Sequence, residues 1–444
     1  MPVATTTAVQ KGLGLLSRST SSKPANTSNN SDHHQTDSNP KINSKNNNNT
    51  TAGGSLPRDA NALLKGRYAS IDAAAAWTPP PFTLKDVRNV IPAHCFKRNT
   101  MRSLGYVLHD AVLLTVLFIA ASYFSLLPMY LQIVAWPLYW IAQGSVGFGV
   151  WILAHECGHG AFSPSTTINN IFGWVMHSFV LVPYFSWKFS HSKHHKSSGH
   201  MLKDEAFVPP VRSSMGYSHA DSVVTKKDDQ ADIHHESLLA DAPITQLLRM
   251  FSMLLFGFPM YLLIHSSGQA YPEWVTHFTP NSVIFTEKNR PFVLLSDLGI
   301  FLVLGIIGLC AHRYGALNVF MYYGVPYLVV NFWLVAITFL QHTDPIIAHY
   351  RGEEWSFLRG ALSTIDRDYG IFNHFHHHIG DTHVVHHLFS TLPHYHAEEA
   401  TEAIKEFLGK YYSYDSRPIL QALYSNFIVC KFVEDEGDVV FYKH

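Results

Sequence analysis

Apolar positions in this chain gather in long unbroken runs, and no Asp, Glu, Lys, Arg or His occurs between residues 111 and 154. A helix of about 20 residues crosses a hydrocarbon core of about 30 Å, so this stretch reads as two successive spans, residues 111–127 and 129–151, that turn at Pro128. Lys97, Arg98 and Arg102 precede the first span. Under the positive-inside rule they put the N-terminal side in the cytosol, and the chain returns there at His155. Four more apolar runs follow, at residues 171–187, 250–264, 292–311 and 317–340. The first is short and carries His177 and Pro183, and the second is weakened by Arg249 and Pro259. Both are read as interfacial, the first alternatively as a re-entrant pair. The last two cross, joined by a lumenal turn at His312-Arg313-Tyr314-Gly315. The expected fold is an all-α integral membrane protein with four transmembrane helices, a cytosolic helical cap and both termini in the cytosol.

Outside these runs the pattern lapses. Residues 17–55 are rich in Ser, Asn and Thr and cannot bury a core, so residues 1–75 are expected to be a disordered tail ahead of one membrane domain, 76–444. No basic start with an apolar h-region marks a cleaved secretory signal. Residues 213–241, with Lys226-Lys227-Asp228-Asp229, read as a solvated loop. Near the other end, Ala400, Ala403, Ile404, Phe407 and Leu408 keep helical period with Gly409 as a stop, which predicts a docking helix.

Charge and cysteine content narrow the chemistry. A net charge of −1 supplies no basic field for nucleic acid. The four cysteines, Cys95, Cys157, Cys310 and Cys430, lack CxxC spacing, which indicates neither a disulfide framework nor a thiolate metal site. The 29 histidines are the anomaly. His33, His34, His234 and His235 sit in polar segments and read as solvated, whereas three clusters adjoin apolar runs: His155-Glu156-Cys157-Gly158-His159, His191-Ser192-Lys193-His194-His195 and His383-Val384-Val385-His386-His387. Imidazoles at i and i+4 share a helix face. Taken alone, the first cluster matches a zinc hydrolase in which Glu156 is the general base, and a membrane zinc metalloprotease using His155, Glu156 and His159 is the competing reading. A lipid-binding membrane protein without catalysis is a third, but gives no reason for the repeated spacing. Eight imidazoles exceed what one zinc takes, and mostly imidazole ligation of two metals suits iron. A ninth ligand has two candidates: His342, directly after the last apolar run, and His377 within His374-Phe375-His376-His377-His378. Glu156, Asp204, Asp366 and Asp381 are near enough in sequence to orient the imidazoles.

These clusters, with residues 80–99 (PPFTLKDVRNVIPAHCFKRN), 187–209 (WKFSHSKHHKSSGHMLKDEAFVP), 339–345 (FLQHTDP), 359–370 (RGALSTIDRDYG) and 381–401 (DTHVVHHLFSTLPHYHAEEAT), resemble the membrane-bound fatty-acid desaturases of the oleate Δ12 and omega-3 branch. The resemblance implies a multi-pass protein of the endoplasmic reticulum with two iron ions held by His155, His159, His191, His194, His195, His383, His386 and His387, to which His342 is added as a ligand. It implies oxygen-dependent formation of a cis double bond in oleoyl (Δ12) or linoleoyl (omega-3) chains carried on phospholipid. Dioxygen is the co-substrate, and electrons come from cytochrome b5 and its reductase. No His-Pro-Gly-Gly motif occurs, so the donor is a separate protein. Fatty-acid hydroxylases and acetylenases share the boxes and are the alternative within the family. Gly160 stands where many plant relatives have a further His after the first box.

Overall fold

The computed structural model describes residues 77–216 and 242–443. The expected tail, residues 1–75, and most of the 213–241 loop lie outside the described residues. The rest is mostly helical: α1 (Leu84–Val90), α2 (Thr100–Ser122), α3 (Met129–His159), α4 (Thr166–Phe179), α5 (Tyr184–Ser197), α6 (Pro243–Ile264), α7 (Arg290–Tyr314), α8 (Val325–His342), α9 (His383–Leu388), α10 (Ala397–Leu408) and α11 (Ile419–Val429). Shorter helical turns connect them. Two minimal sheets pin the cap, β1 (His349–Tyr350) antiparallel to β4 (Val439–Val440) and β2 (Asp366–Arg367) parallel to β3 (Tyr414–Asp415).

Among the described residues, five helical segments are long and apolar enough to cross a membrane: Thr100–Leu126, Met129–His159, Pro243–Ile264, Glu287–Tyr314 and Ala316–His342. Three of them contain the expected spans 129–151, 292–311 and 317–340, and Thr100–Leu126 covers 111–127 to within one residue. The first starts earlier than residue 111, because the Asn99 side chain caps Arg102 N and because Asp110, which looks like a boundary in the sequence, is buried against His377 (Oδ2 to Nε2, 2.8 Å). A paired carboxylate does not break a helix. The second runs past residue 151 to His159 and stops at Gly160, whose φ of 73° is the left-handed cap that glycine supplies without strain. It therefore carries the first histidine box on its own last turn. The last is entered through Ala316–Val319 and a π turn, Phe320–Gly324.

The fifth segment, α6, corrects the four-helix expectation as a count of long apolar helices. It is longer than the run 250–264 because Pro243 sits at its start, where a missing N–H costs nothing. Both of its ends are bonded to neighbouring segments. Near the start, Gln246 Oε1 lies 3.5 Å from Lys431 Nζ, just beyond α11. Near the end, the Tyr261 hydroxyl donates to Ser190 Oγ on α5 (3.1 Å) and Leu262 O accepts from His277 N (2.9 Å).

The run 171–187 is resolved into the pair α4 and α5, broken at Leu181 (φ 56°) and Pro183. Close backbone approach fixes how α3 sits. A Cβ on Gly144 would meet Val329 Cβ at 2.4 Å, and one on Gly149 would meet the Phe375 carbonyl oxygen at 2.4 Å. These two glycines let α8 and the segment ahead of the third box pack directly against the α3 backbone. The predicted docking helix is α10, which buries Ala400, Ile404 and Leu408 against Val87, Ile91 and Val384 and ends at Gly409.

Candidate metal centre

Each box rides on a helix, and the phase of the second and third divides their imidazoles between two groups, while both imidazoles of the first go to one. On α5, His191 and His195 share a face while His194 points to another. On α9, His383 and His387 share a face and His386 is apart. The structure gathers His155, His159, His191, His195 and His386 in one group and His194, His342 and His387 in a second, with one ring nitrogen from each within 4.8 Å of the others in its group. His383 joins the second, its Nε2 being 3.3 Å from His342 Nε2. Box two therefore gives two imidazoles to the first group and one to the second, and box three the reverse. All nine residues named from the sequence are brought together.

Neighbouring nitrogens within the first group stand close: His155 to His159 3.1 Å, His159 to His191 3.0 Å, His191 to His195 3.1 Å and His195 to His386 3.2 Å, all between Nε2 atoms. A neutral imidazole has one N–H and one lone pair, so five Nε2 atoms facing one another cannot all be satisfied by hydrogen bonds. A cation between them accepts every lone pair. With metal–nitrogen bonds of about 2.1 Å, adjacent ligands stand about 3.0–3.4 Å apart, as they do here. In the second group both nitrogens of His387 are buried without a hydrogen-bond partner, which points the same way. Burial, reinforced by neighbouring imidazoles, holds His191, His195, His386 and His387 well below the usual histidine range, and burial holds His383 down to about 3. All five are neutral at physiological pH, the form that binds metals. The donor set, all imidazole, suits a transition metal and not calcium or magnesium.

Of the carboxylates named from the sequence, one reaches a cluster imidazole directly. Asp204 Oδ1 lies 2.7 Å from His194 Nδ1, and the same carboxylate accepts Gly199 N, Ala206 N and Phe207 N. That bond fixes the His194 tautomer with Nε2 free for the second group. His383 is oriented similarly by the Ile379 carbonyl, 3.2 Å from its Nδ1. Asp366 acts on backbone: it accepts Val384 N (2.8 Å) at the start of α9 and the Tyr412 hydroxyl (2.6 Å). Asp381 pairs with His378 Nδ1 (3.0 Å), outside both groups. Glu156 accepts His394 N at Oε2 (3.0 Å) and leaves Oε1 3.9 Å from His155 Nδ1, on the side of that ring away from the clustered Nε2 atoms. His377, the other candidate for ninth ligand, is engaged with Asp110 and lies in neither group.

Sequence reasoning missed the framework that sets His342. Arg367, fully buried, donates from Nε to the Leu340 carbonyl (3.1 Å), from Nη2 to Asp344 Oδ2 (2.9 Å) and from Nη1 to Asp415. Arg417 completes a buried quartet through Asp415 and Asp344. Gln341 donates to the Gly380 carbonyl and accepts the Tyr369 hydroxyl (3.0 Å). These bonds clasp the end of α8 to the segment that leads into box three. Asp366, Arg367 and Asp344 stand in quoted segments of the sequence, but nothing in their spacing reveals that the charges face one another.

A cavity of about 350 Å³ opens onto both groups. His155, His191, His194, His342, His383 and His387 form its polar wall. The rest is mostly apolar, with Met253, Gly257 and Phe258 from α6 facing Leu334, Val335 and Phe339 from α8. Such a lining suits an apolar group placed beside the imidazoles.

The fatty acid desaturase family profile matches residues 133–418, a stretch that includes all three boxes, His342 and most of the cavity. A profile for a domain of unknown function matches residues 41–121. A Delta(12) fatty acid desaturase of Mortierella alpina is 47% identical over 400 residues, covering 87% of this chain and 99% of that protein. The chain belongs to the fatty acid desaturase family, in its Δ12 branch. It is a multi-pass membrane protein and an oxidoreductase, which sets aside the metalloprotease reading of His155, Glu156 and His159. A Delta(12)-fatty-acid desaturase of Arabidopsis thaliana is 43% identical over 362 residues (81% of this chain, 90% of that one). An omega-6 fatty acid desaturase, endoplasmic reticulum isozyme 1, of Glycine max is 42% identical over 361 residues (81% and 89%).

Proposed function

We propose that this desaturase converts oleoyl to linoleoyl chains, placing a cis double bond at Δ12 with two irons, dioxygen and electrons delivered by cytochrome b5. The observation that carries the reading is the cavity: one mostly apolar space ends on six of nine imidazoles gathered in two groups. The naming of the relatives for Δ12 and omega-6 activity favours oleoyl over the omega-3 alternative. The acyl chain is taken to be carried on phospholipid, and the name of the Glycine max relative supports the endoplasmic reticulum as the membrane.

Four crossings, α2, α3, α7 and the helix ending in α8, support one cytosolic cap, because the ends of α6 both return to it and α6 then lies along the membrane surface. Five imidazoles would hold one iron and four the other, His342 being the ninth. The bound irons supply, from dioxygen, the oxidising power that an unactivated C–H bond requires and that no side chain provides. The protein's own part is positional. Phe258 and Met253 opposite Leu334 and Val335 hold the chain and exclude water. Asp204 and the Ile379 carbonyl hold two imidazoles in the ligating tautomer. Two hydrogens leave adjacent methylenes and, with two donor electrons and two protons, reduce dioxygen to water.

Expression in a yeast that makes no polyunsaturated lipids, with oleate and then linoleate supplied, tests the assignment. Mass spectrometry should show linoleate from oleate, no triene from linoleate, and no diene in His194→Ala. A hydroxylated or acetylenic main product, or a triene, overturns it.

A further inference from the structure

We propose that His94, Cys95, His396 and Glu399 form a second metal site, for one zinc ion, apart from the nine clustered imidazoles. The four ligand atoms lie within 4.8 Å of one another. His94 Nε2 is 2.9 Å from Glu399 Oε2, Cys95 Sγ is 3.8 Å from His94 Nε2, and His396 Nδ1 is 4.0 Å from Glu399 Oε2. A thiol, two imidazoles and a carboxylate are the zinc donor set, in the number that a closed tetrahedral site takes. An exposed His–Glu pair stabilises little by itself, yet here a thiol and a second imidazole converge on the same carboxylate.

Two segments far apart in the chain make the cluster, 305 residues separating His94 from Glu399. His94 and Cys95 come from the turn Ala93–Phe96, and His396 and Glu399 from the turn His394–His396 and the first turn of α10. Cys95 is fully buried beside Val87, Ile91 and Ala400 and presents its thiol to the cluster from the protein side. His94 and Glu399 are half exposed, which leaves an entry path for the ion. On binding, the thiol loses its proton to solvent and its thiolate becomes a ligand. Zinc there would clamp the segment ahead of the first span to α10. Two residues before His396, the His394 N–H holds Glu156, the neighbour of His155, so the clamp braces the last turn of α3 that carries the first box.

Cobalt(II) titration of the full chain in detergent tests the site, because the nine imidazoles include no thiolate and a sulfur-to-cobalt charge-transfer band in the near ultraviolet reports a cysteine ligand. The wild-type chain should develop the band, lose it on addition of one equivalent of zinc, and keep it in His194→Ala. Cys95→Ser should abolish it. Glu399→Gln, at the surface and close in shape to the native side chain, should weaken cobalt binding at least tenfold. Absence of the band, its persistence in Cys95→Ser, or unchanged cobalt affinity in Glu399→Gln overturns the proposal; if Cys95→Ser fails to fold, Glu399→Gln decides.

Discussion

Asp204→Asn separates the orientation of an imidazole from its mere presence. The substitution keeps the shape of a fully buried side chain but removes its charge. Wild-type Oδ1 serves His194 Nδ1 at 2.7 Å together with Ala206 N and Phe207 N, and Oδ2 serves Gly199 N at 3.3 Å. All four partners present N–H groups to the carboxylate, so one face of an asparagine amide must set an NH₂ against a donor. If its oxygen stays with His194, the charge-assisted bond falls to a neutral one of roughly half the strength. If the amide turns over, His194 is forced to the other tautomer and its Nε2 no longer offers a lone pair to the second group. Loss of such an outer partner typically costs 10–100-fold in metal affinity, about 1.4–2.8 kcal/mol. Iron per chain, measured against a graded chelator in detergent, should fall within that range for the second group while the first holds, and linoleate yield should fall in step. Unchanged iron retention and unchanged yield would refute the reasoning.

Arg367→Met removes one of the two guanidinium groups that Asp344 and Asp415 share, and breaking a buried ion network costs about 3–5 kcal/mol; the thermal midpoint in detergent should drop sharply, and an unchanged midpoint would show that the quartet does not support the end of α8. Gly257→Leu fills the cavity between α6 and α8, where a Cβ already lies 3.5 Å from Val335; turnover of oleoyl should collapse at normal iron content, and full turnover would place the acyl chain elsewhere. The pH dependence of one surface pair is also fixed in sign. Hydrogen bonds from Arg212 to Glu434, 2.7 and 2.8 Å, hold that carboxyl down to about 2. A lowered native value means that the pair's contribution is fully present above the unfolded value of 4.5 and is lost as pH falls toward 2. Glu434→Gln should therefore lower the midpoint slightly at pH 7, by the about 0.2–1 kcal/mol of an exposed pair, with the gap narrowing below pH 4.5; a gap that widens in acid contradicts it.

The apolar runs made the long helices legible, since a membrane interior demands uninterrupted hydrophobicity whatever the tertiary contacts. Helix ends were less so. Asp110 read as a boundary because its partner His377 lies 267 residues away, and α6 read as weak because of Arg249 and Pro259, although Arg249 stays exposed and Pro259 is accommodated inside the helix. The nine imidazoles were legible from i, i+3 and i+4 spacing and from the place of His342 after an apolar run. Their division into five and four was not, because it depends on how α5 and α9 are turned toward each other. The Arg367 quartet and the Cys95 cluster join residues from distant segments, and local spacing carries no trace of either.

The central claim is that these nine imidazoles hold two irons, with His342 and not His377 as the ninth ligand. Iron per chain, measured by elemental analysis on purified wild-type, His342→Ala and His377→Ala proteins, tests it most directly. Two irons are expected in the wild type, a marked loss in His342→Ala, and two retained in a folded His377→Ala. Two irons retained without His342, or iron lost only without His377, would contradict it.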